Sequence, residues 1–141
     1  MASLVIILSP LRYFIQLSYF GKPFHGWQIQ PNASSVQETL NQAATTILGH
    51  EIYTVGAGRT DTGVHAREMW AHFDFEGSIP DNLLHRMNSL VGPDIALHSL
   101  HTVKDDAHTR FDALSRTYEY HFIFNKDPFL KDYAWLVYPK P

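Results

Sequence analysis

The chain of 141 residues contains no cysteine, which excludes both a disulfide framework and a thiolate metal site. This absence fits a cytoplasmic protein, and we expect that location. Long apolar runs are also missing, since the run over residues 4–8 is far too short to span a bilayer. We therefore predict a globular protein without membrane association, in which residues 1–10 are a disordered extension or a cloning scar.

Positive charge is scarce, because the formal net charge is -3 and the sequence pI is about 6.3. Such a balance argues against a protein that coats nucleic acid. RNA binding would have to depend on a local patch, for which five scattered arginines are candidates: Arg59, Arg67, Arg86, Arg110 and Arg116. Hydrophobic residues make up 45% of the chain, which is enough for one buried core.

Periodicity predicts four strands and two helices over residues 11–104. Alternating apolar residues predict strands from Leu11, over 52–57, over 69–75 and from Ile95. A capping box over 35–38 starts a helix that ends at Gly49, and a second amphipathic pattern covers 83–91. The order strand, helix, strand, strand, helix, strand indicates an α+β fold, specifically a ferredoxin-like βαββαβ sandwich.

The remainder of the chain has a different character. Residues 105–113 are polar and predict a loop or crossover, whereas residues 115–124 are rich in aromatics and have a strand pattern. The spacing of Tyr118 and Tyr120 would allow both to face one core as ordinary sheet residues, which is one of two interpretations of these tyrosines. We accordingly predict an N-terminal catalytic-loop domain over 11–104. The crossover and the first strands of a second, truncated domain would occupy 105–141.

Residues 56–66 combine three glycines with an arginine, an aspartate and a histidine. Glycines at this density let the backbone turn tightly and approach a ligand. Arg59 stands two residues before Asp61, which is close enough for a charge-assisted hydrogen bond that keeps the carboxylate ionised and oriented. An oriented carboxylate can serve as a nucleophile or a base. A surface turn whose Asp and Thr side chains bond to their own backbone is the other interpretation.

The sequence Gly-Arg-Thr-Asp-Thr-Gly-Val-His-Ala over 58–66 resembles the signature of the tRNA pseudouridine synthase A (TruA) family. Residues 19–28 are similar to a second family segment, except that Phe20 stands where an acid is usual. The helix start at 35–38 and the Arg-x-Tyr-x-Tyr pattern over 116–120 are similar to further family motifs. The resemblance covers nearly all of the chain but about half of a family member.

This resemblance implies an isomerase that converts uridine to pseudouridine at positions 38 to 40 of the tRNA anticodon arm, without cofactor or metal. Asp61 would be the catalytic carboxylate, Tyr118 would stack on the uracil, and Arg59 would pair with Asp61 and fill the space that the flipped nucleotide leaves. The supporting loop residues would be Gly58, Thr60, Gly63, Val64 and His65. The family also implies tRNA as partner and a homodimer in the full-length protein. This chain alone would have weak or no activity, because it would be only part of that protein.

Three other interpretations remain open at this point. The chain could be a non-catalytic RNA-binding or assembly module that has the fold without the reaction. Asp61-Thr62-Gly63 is also the triplet of an aspartic protease half, although Arg59-Thr60 is an unusual context for it. A histidine metal site is the third, but His98 and His101 would point to opposite faces of a regular strand.

Overall fold

Four strands and two helices occupy residues 11–103 of a computed structural model, which describes residues 1–4 and 9–138. They are β1 (Leu11–Tyr19), α1 (Val36–Leu48), β2 (Val55–Gly56), β3 (Ala66–Phe75), α2 (Leu83–Leu90) and β4 (Ile95–Val103). Two further short strands follow, β5 (Phe122–Ile123) and β6 (Trp135–Leu136). Residues 5–8 of the predicted N-terminal extension lie outside the described residues.

The first four strands form one sheet in the order β2-β3-β1-β4, in which every neighbouring pair is antiparallel. β1 is central, so Ile15 pairs with Ala71 of β3 on one side and with Leu100 of β4 on the other. The protein is therefore an α+β domain, as the order of periodic segments predicts.

One face of the sheet and both helices enclose a single hydrophobic core. Ile15, Leu17 and Phe73 point from the sheet into this core, where they meet Leu40 of α1 and Met87 of α2. All five side chains are almost completely buried. Because the buried positions alternate along β1, the predicted period of two is confirmed for that strand.

Both helices begin and end close to the predicted positions. At the start of α1, the Ser35 hydroxyl accepts the Glu38 N–H at 3.2 Å, and at its end Gly49 has φ 75° and donates its N–H to Thr45 O. These are the cap and the left-handed stop that the sequence predicts. In the described part of the chain, no helix is long and apolar enough to cross a membrane.

The second strand is shorter than predicted, since only Val55 and Gly56 pair with β3. Side chains of α1 take the backbone groups just before it. The Thr54 N–H bonds Asn41 Oδ1 at 2.9 Å, and the Thr54 carbonyl accepts Gln37 Nε2 at 2.6 Å. Helix side chains thus replace a neighbouring strand as the partners of residue 54. The prediction of a strand over 52–57 is wrong for residues 52–54 and 57.

An irregularity in β4 changes the faces on which its histidines lie. The register with β1 shifts between Gln16 and Leu17, which pair with Ser99 and Leu97, so the residue between these two has no partner. That residue is His98, whose Nε2 lies 2.8 Å from the hydroxyl of Ser18. His101 pairs with Phe14 on the same face. The prediction that the two histidines point to opposite faces is therefore wrong, because the extra residue resets the alternation.

Residues 104–138 are mostly irregular. The predicted strand over 115–124 is wrong for residues 115–121, and only β5 remains, paired in parallel with β6 over two residues. Tyr118 and Tyr120 are exposed instead of facing a core, because no second sheet face lies over them within the described residues. Residues 105–113 form turns without a strand, as predicted. The domain boundaries at residues 10 and 104 remain predictions.

Candidate active site

Asp61 lies in the connection between β2 and β3, at a tight turn. The Val64 N–H donates to the Asp61 carbonyl at 3.2 Å, and Gly63 has φ 79°, a conformation that favours glycine. Asp61 and Thr62 are exposed. The loop therefore presents the carboxylate to solvent at the end of the sheet.

The segment after β1 fixes this loop from one side. The Trp27 N–H donates to the Thr60 carbonyl at 3.1 Å, and the Tyr19 hydroxyl lies 2.8 Å from the Thr60 hydroxyl. Burial raises the pKa of Tyr19, although its bond to Thr60 acts in the opposite direction. The Gly63 N–H adds a longer bond to the Phe24 carbonyl at 3.3 Å. The residues on both sides of Asp61 are consequently held, while Asp61 itself is exposed.

Two glycines allow this close approach. A Cβ at Gly21 would collide with the carbonyl of Val64, and a Cβ at Gly26 would lie 2.5 Å from the carbonyl of Thr60. Gly26 also has φ 80°, so a side chain there would be strained in any case. The glycines in the loop after β1 thus allow the β2–β3 loop to pack on them.

His65 joins the β2–β3 loop to two distant segments. Its Nδ1 accepts the Gly21 N–H at 2.8 Å, so the ring is unprotonated at that atom and Nε2 donates to the Asp132 carbonyl at 2.6 Å. Phe20 stacks on the imidazole with ring centroids 4.6 Å apart, and Tyr133 packs beside it at 5.4 Å. We call this arrangement the His65 clasp.

Arg116 holds the start of the same loop. Its guanidinium donates to the Ala57 carbonyl, from Nη2 at 2.7 Å and from Nε at 3.2 Å, and Nη2 also bonds the Arg110 carbonyl at 3.1 Å. A Cβ at Gly58 would lie 3.5 Å from Arg116 Nε, so the guanidinium also packs along the loop. The sequence indicates Arg116 as a candidate for an RNA patch, but its role in this structure is to bind the backbone.

The predicted pair of Arg59 and Asp61 is absent: within the described residues, no ion pair joins them. Both side chains are exposed, whereas Thr60 between them is held by its carbonyl and its hydroxyl. An exposed ion pair gains only about 0–1 kcal/mol, which does not compel two solvated groups to close. The prediction that Arg59 orients the carboxylate is therefore wrong for this structure.

Tyr118 follows Arg116 by two residues in irregular backbone. Its side chain is 67% exposed, and its hydroxyl has no hydrogen bond to any described residue. The segment contacts the β2–β3 loop through Arg116, which leaves the tyrosine ring accessible to a ligand.

The same crossover also covers part of the outer sheet face, at His72. His72 Nδ1 lies 2.8 Å from Thr109 Oγ1 and 3.2 Å from the Thr109 backbone nitrogen, and Thr109 Oγ1 lies 3.1 Å from the Val55 carbonyl. Burial lowers the pKa of His72 from 6.5 to about 4, and the positive charges of Arg12 and His108 act in the same direction. The unprotonated ring is thus the form that docks the crossover.

The structure gives the other interpretations little support. The strand before the triplet ends at Gly56, five positions before Asp61, so the strand end typical of an aspartic protease is lacking. Among the residues that the structure describes, no group of three or more histidine or acidic side chains is arranged to hold a metal ion.

Sequence reasoning identifies the loop but not what holds it. The carbonyl of Asp132 is 67 positions from His65, and a backbone acceptor has no residue type that could reveal it. The hydroxyl pair of Tyr19 and Thr60 likewise has no sequence signal. Only the two glycines, Gly21 and Gly26, hint that another part of the chain approaches closely.

Comparison with known proteins finds no matching protein-family model. Curated relatives do match. A protein of Bacteroides thetaiotaomicron is 50% identical over 128 residues, which are 90% of this chain and 48% of the relative. Proteins of Bacteroides fragilis and Porphyromonas gingivalis are 47% and 48% identical over 93% and 92% of this chain, and over 53% and 52% of their own lengths. All three are named tRNA pseudouridine synthase A.

The structure is an α+β domain with an exposed aspartate on a glycine-rich loop. The three relatives identify its family. The chain belongs to the tRNA pseudouridine synthase A family and corresponds to an N-terminal portion of such a protein. It spans about half the length of the curated relatives that it matches.

Proposed function

We propose that this chain supplies the catalytic loop of a tRNA pseudouridine synthase, an isomerase that acts on uridines at positions 38 to 40 of the tRNA anticodon arm. Asp61 is the catalytic carboxylate in this proposal. The observation that carries it is the exposed Asp61 on a loop whose neighbouring residues, Thr60 and Gly63, are bonded to the segment after β1. The names of the relatives support the reaction.

The chemistry matches what the loop offers. The reaction breaks the bond between the ribose and a uracil nitrogen and forms a bond from the same sugar carbon to a uracil carbon. That ring carbon loses its proton and the released nitrogen takes one up, so substrate and product are isomers. There is no net oxidation, so the balance requires no electron carrier. A carboxylate beside the sugar and the ring can act as nucleophile or base, and a rigid loop holds it in place for either role.

The target uridine has to leave the helical stack before a carboxylate can reach it, which costs a few kcal/mol. Stacking on an aromatic side chain contributes about 1–3 kcal/mol per base and offsets that cost. In our proposal Tyr118 provides this surface, since its ring is exposed. Arg59 occupies the space that the nucleotide leaves, and its exposed side chain is free of any described ion pair.

We also propose that the domain over residues 11–103 is a ferredoxin-like sandwich. The element order β1-α1-β2-β3-α2-β4 and the antiparallel sheet β2-β3-β1-β4 support it. In this arrangement the β2–β3 connection lies at an end of the sheet, where the loop opens to solvent. The whole protein would bind the tRNA anticodon arm, act as a homodimer and work in the cytoplasm.

The test is conversion of uridine to pseudouridine in an unmodified tRNA transcript, by a full-length protein that carries this sequence. We expect Asp61→Asn to lower the rate by at least about a hundredfold, since it removes the nucleophile or base. Asp81→Asn is the matched control, because Asp81 is also exposed and lies in the turn before α2. It should convert uridine at the unsubstituted rate.

Equal conversion by the protein and its Asp61→Asn variant would refute the catalytic role of this carboxylate. If neither converts uridine but both bind tRNA, the non-catalytic RNA-binding module becomes the better description. The chain of 141 residues should have weak or no activity when tested alone, because it spans about half of its relatives.

A further inference from the structure

A cavity of about 180 Å³ lies beside the catalytic loop. Trp27 and Gly56 line its interior, and Tyr53, Arg59 and Arg110 border it with exposed side chains. These residues come from three parts of the chain: the segment after β1, the β2 region with its loop, and the crossover after β4. Asp61 is not among the lining residues, so this cavity is distinct from the position of the carboxylate.

The charges around the cavity favour an anion. No carboxylate lines it, while two arginines do. Within the described residues, neither Arg59 nor Arg110 forms an ion pair with an acid. A guanidinium group suits a phosphate, because its planar donors match the phosphate oxygens. The chain as a whole carries a net charge of -3, so this pairing of cations is a local feature.

The other lining groups suit a nucleobase. Tyr53 is 58% exposed although it is aromatic, which makes its ring a surface for stacking. The amide of Gln28 has no hydrogen bond to a described residue and can both donate and accept. Gln37, by contrast, already bonds the Ile29 N–H at 3.0 Å and the Thr54 carbonyl at 2.6 Å, so it only supports the wall.

The cavity is held open by its own packing. Gly56 lies against the Trp27 indole so closely that a Cβ there would be 2.6 Å from Cε2. The carbonyl of Arg110 is bonded by Arg116, which also bonds Ala57. These contacts hold the backbone around the cavity, while the side chains of Tyr53 and Arg110 are exposed to a ligand.

We propose that this cavity binds one unpaired nucleotide adjacent to the target uridine, with its phosphate on Arg110 and its base on Tyr53. The volume is below the roughly 300–1,000 Å³ of drug-sized pockets, which suits a single base and part of its ribose, not a base pair. Arg59 lies two residues before Asp61, so an RNA strand seated here also passes the catalytic loop. The choice of RNA as ligand rests on the proposed function.

The experiment is an NMR titration of the ¹⁵N-labelled chain with tetrauridylate at several salt concentrations. We expect shifts of the Tyr53, Gly56 and Arg59 amides and of the Trp27 indole N–H. Arg110→Gln should weaken binding about tenfold and lower the salt slope by about 0.7, the value for one phosphate contact to a single strand. Tyr53→Ala should weaken it about tenfold through loss of stacking, with the salt slope unchanged.

Arg86→Gln is the matched control, since it removes the same charge from an exposed arginine on α2 that does not border the cavity. It should bind like the unsubstituted chain. Equal effects of Arg86→Gln and Arg110→Gln, shifts remote from the cavity, or no binding by the chain would overturn the proposal. Inorganic phosphate that binds as tightly as tetrauridylate would reduce the site to an anion site and overturn it too.

The experiments distinguish an error in the cavity proposal from an error in the proposed reaction. The titration measures binding without turnover, so the cavity shifts should also be seen in the Asp61→Asn variant. Loss of pseudouridine formation with intact cavity shifts would count against the reaction alone. Turnover in the full-length protein without cavity shifts in this chain would count against the cavity alone.

Discussion

Residues 11–103 and residues 111–138 differ in how far their large apolar side chains are buried. In the first region, Trp27 is 1% exposed and the core draws on both helices and one face of the sheet. In the second, Trp135 is 72% exposed although it lies in a strand. Several other large apolar residues there are exposed as well: Phe111, Leu114, Tyr118, Tyr120, Phe122, Phe129 and Tyr138.

This difference shows that the candidate site is assembled from two unequal parts. The first region folds around its own core and supplies the loop with Asp61. The second region has little core of its own, yet Arg116 bonds Ala57 and Asp132 bonds His65. An exposed apolar surface of this extent usually marks an interface. The predictions below test whether the two regions differ in energy as they differ in burial.

The largest effect is expected from two tryptophan substitutions compared in the same chain. Trp27→Ala removes a fully buried side chain and should cost about 3–5 kcal/mol of unfolding free energy. Trp135→Ala removes a mostly exposed one and should change that free energy by about 0.5 kcal/mol or less. Urea unfolding followed by far-UV circular dichroism measures both. Similar costs would mean that the second region is part of the same cooperative core.

The elements of the first region could be predicted because local patterns decide them. The cap at Ser35, the left-handed stop at Gly49 and the alternation along β1 each depend on neighbours in sequence. Residues 52–54 could not be predicted, because Asn41 and Gln37 of α1 take the backbone groups that a strand would use. Such competition by a helix side chain has no signature in the segment that it alters.

The site could be predicted only as far as its motif extends. The loop around Asp61 is apparent from its glycines and charges, whereas the His65 clasp depends on the carbonyl of Asp132, which every residue type possesses. The structure of the second region is even less predictable from its sequence. Its aromatic alternation predicts a strand over 115–124, but alternation yields a sheet only where a second strand pairs, and β6 pairs with two residues only.

The next effect concerns pH and the contact of the crossover with the sheet. Because burial lowers the pKa of His72 from 6.5 to about 4, the unfolded chain binds a proton that the folded chain rejects between these values. Stability should therefore fall as pH falls from about 6.5 to about 4, with a slope of up to about 1.4 kcal/mol per pH unit. The bond to Arg12 also lowers the pKa of Asp74, so the stability that this bond contributes is lost at lower pH, when Asp74 becomes protonated.

His72→Asn tests this assignment, because the Asn oxygen lies near the position of Nδ1 and can still accept the Thr109 N–H. The variant should lose the slope between pH 6.5 and pH 4 in urea unfolding. His101→Asn is the control, since His101 is exposed on the same sheet face. A slope that persists in His72→Asn would assign it to other groups and leave the crossover contact independent of pH.

The smallest effect on stability, and the most local, is expected at the His65 clasp, which ties the two regions together. His65→Asn keeps an acceptor for the Gly21 N–H but cannot reach the Asp132 carbonyl, whereas His65→Gln reaches outward and loses that acceptor. Hydrogen exchange of the Gly21 amide should quicken about fivefold in His65→Gln and stay slow in His65→Asn, since one hydrogen bond contributes about 1 kcal/mol. The Trp135 amide, which bonds the His121 carbonyl, should show the reverse pattern because it lies in the segment that Asp132 anchors.

If both variants quicken both amides equally, the clasp acts only through ring packing between Phe20 and Tyr133, and the two regions are joined by stacking instead of by directed hydrogen bonds.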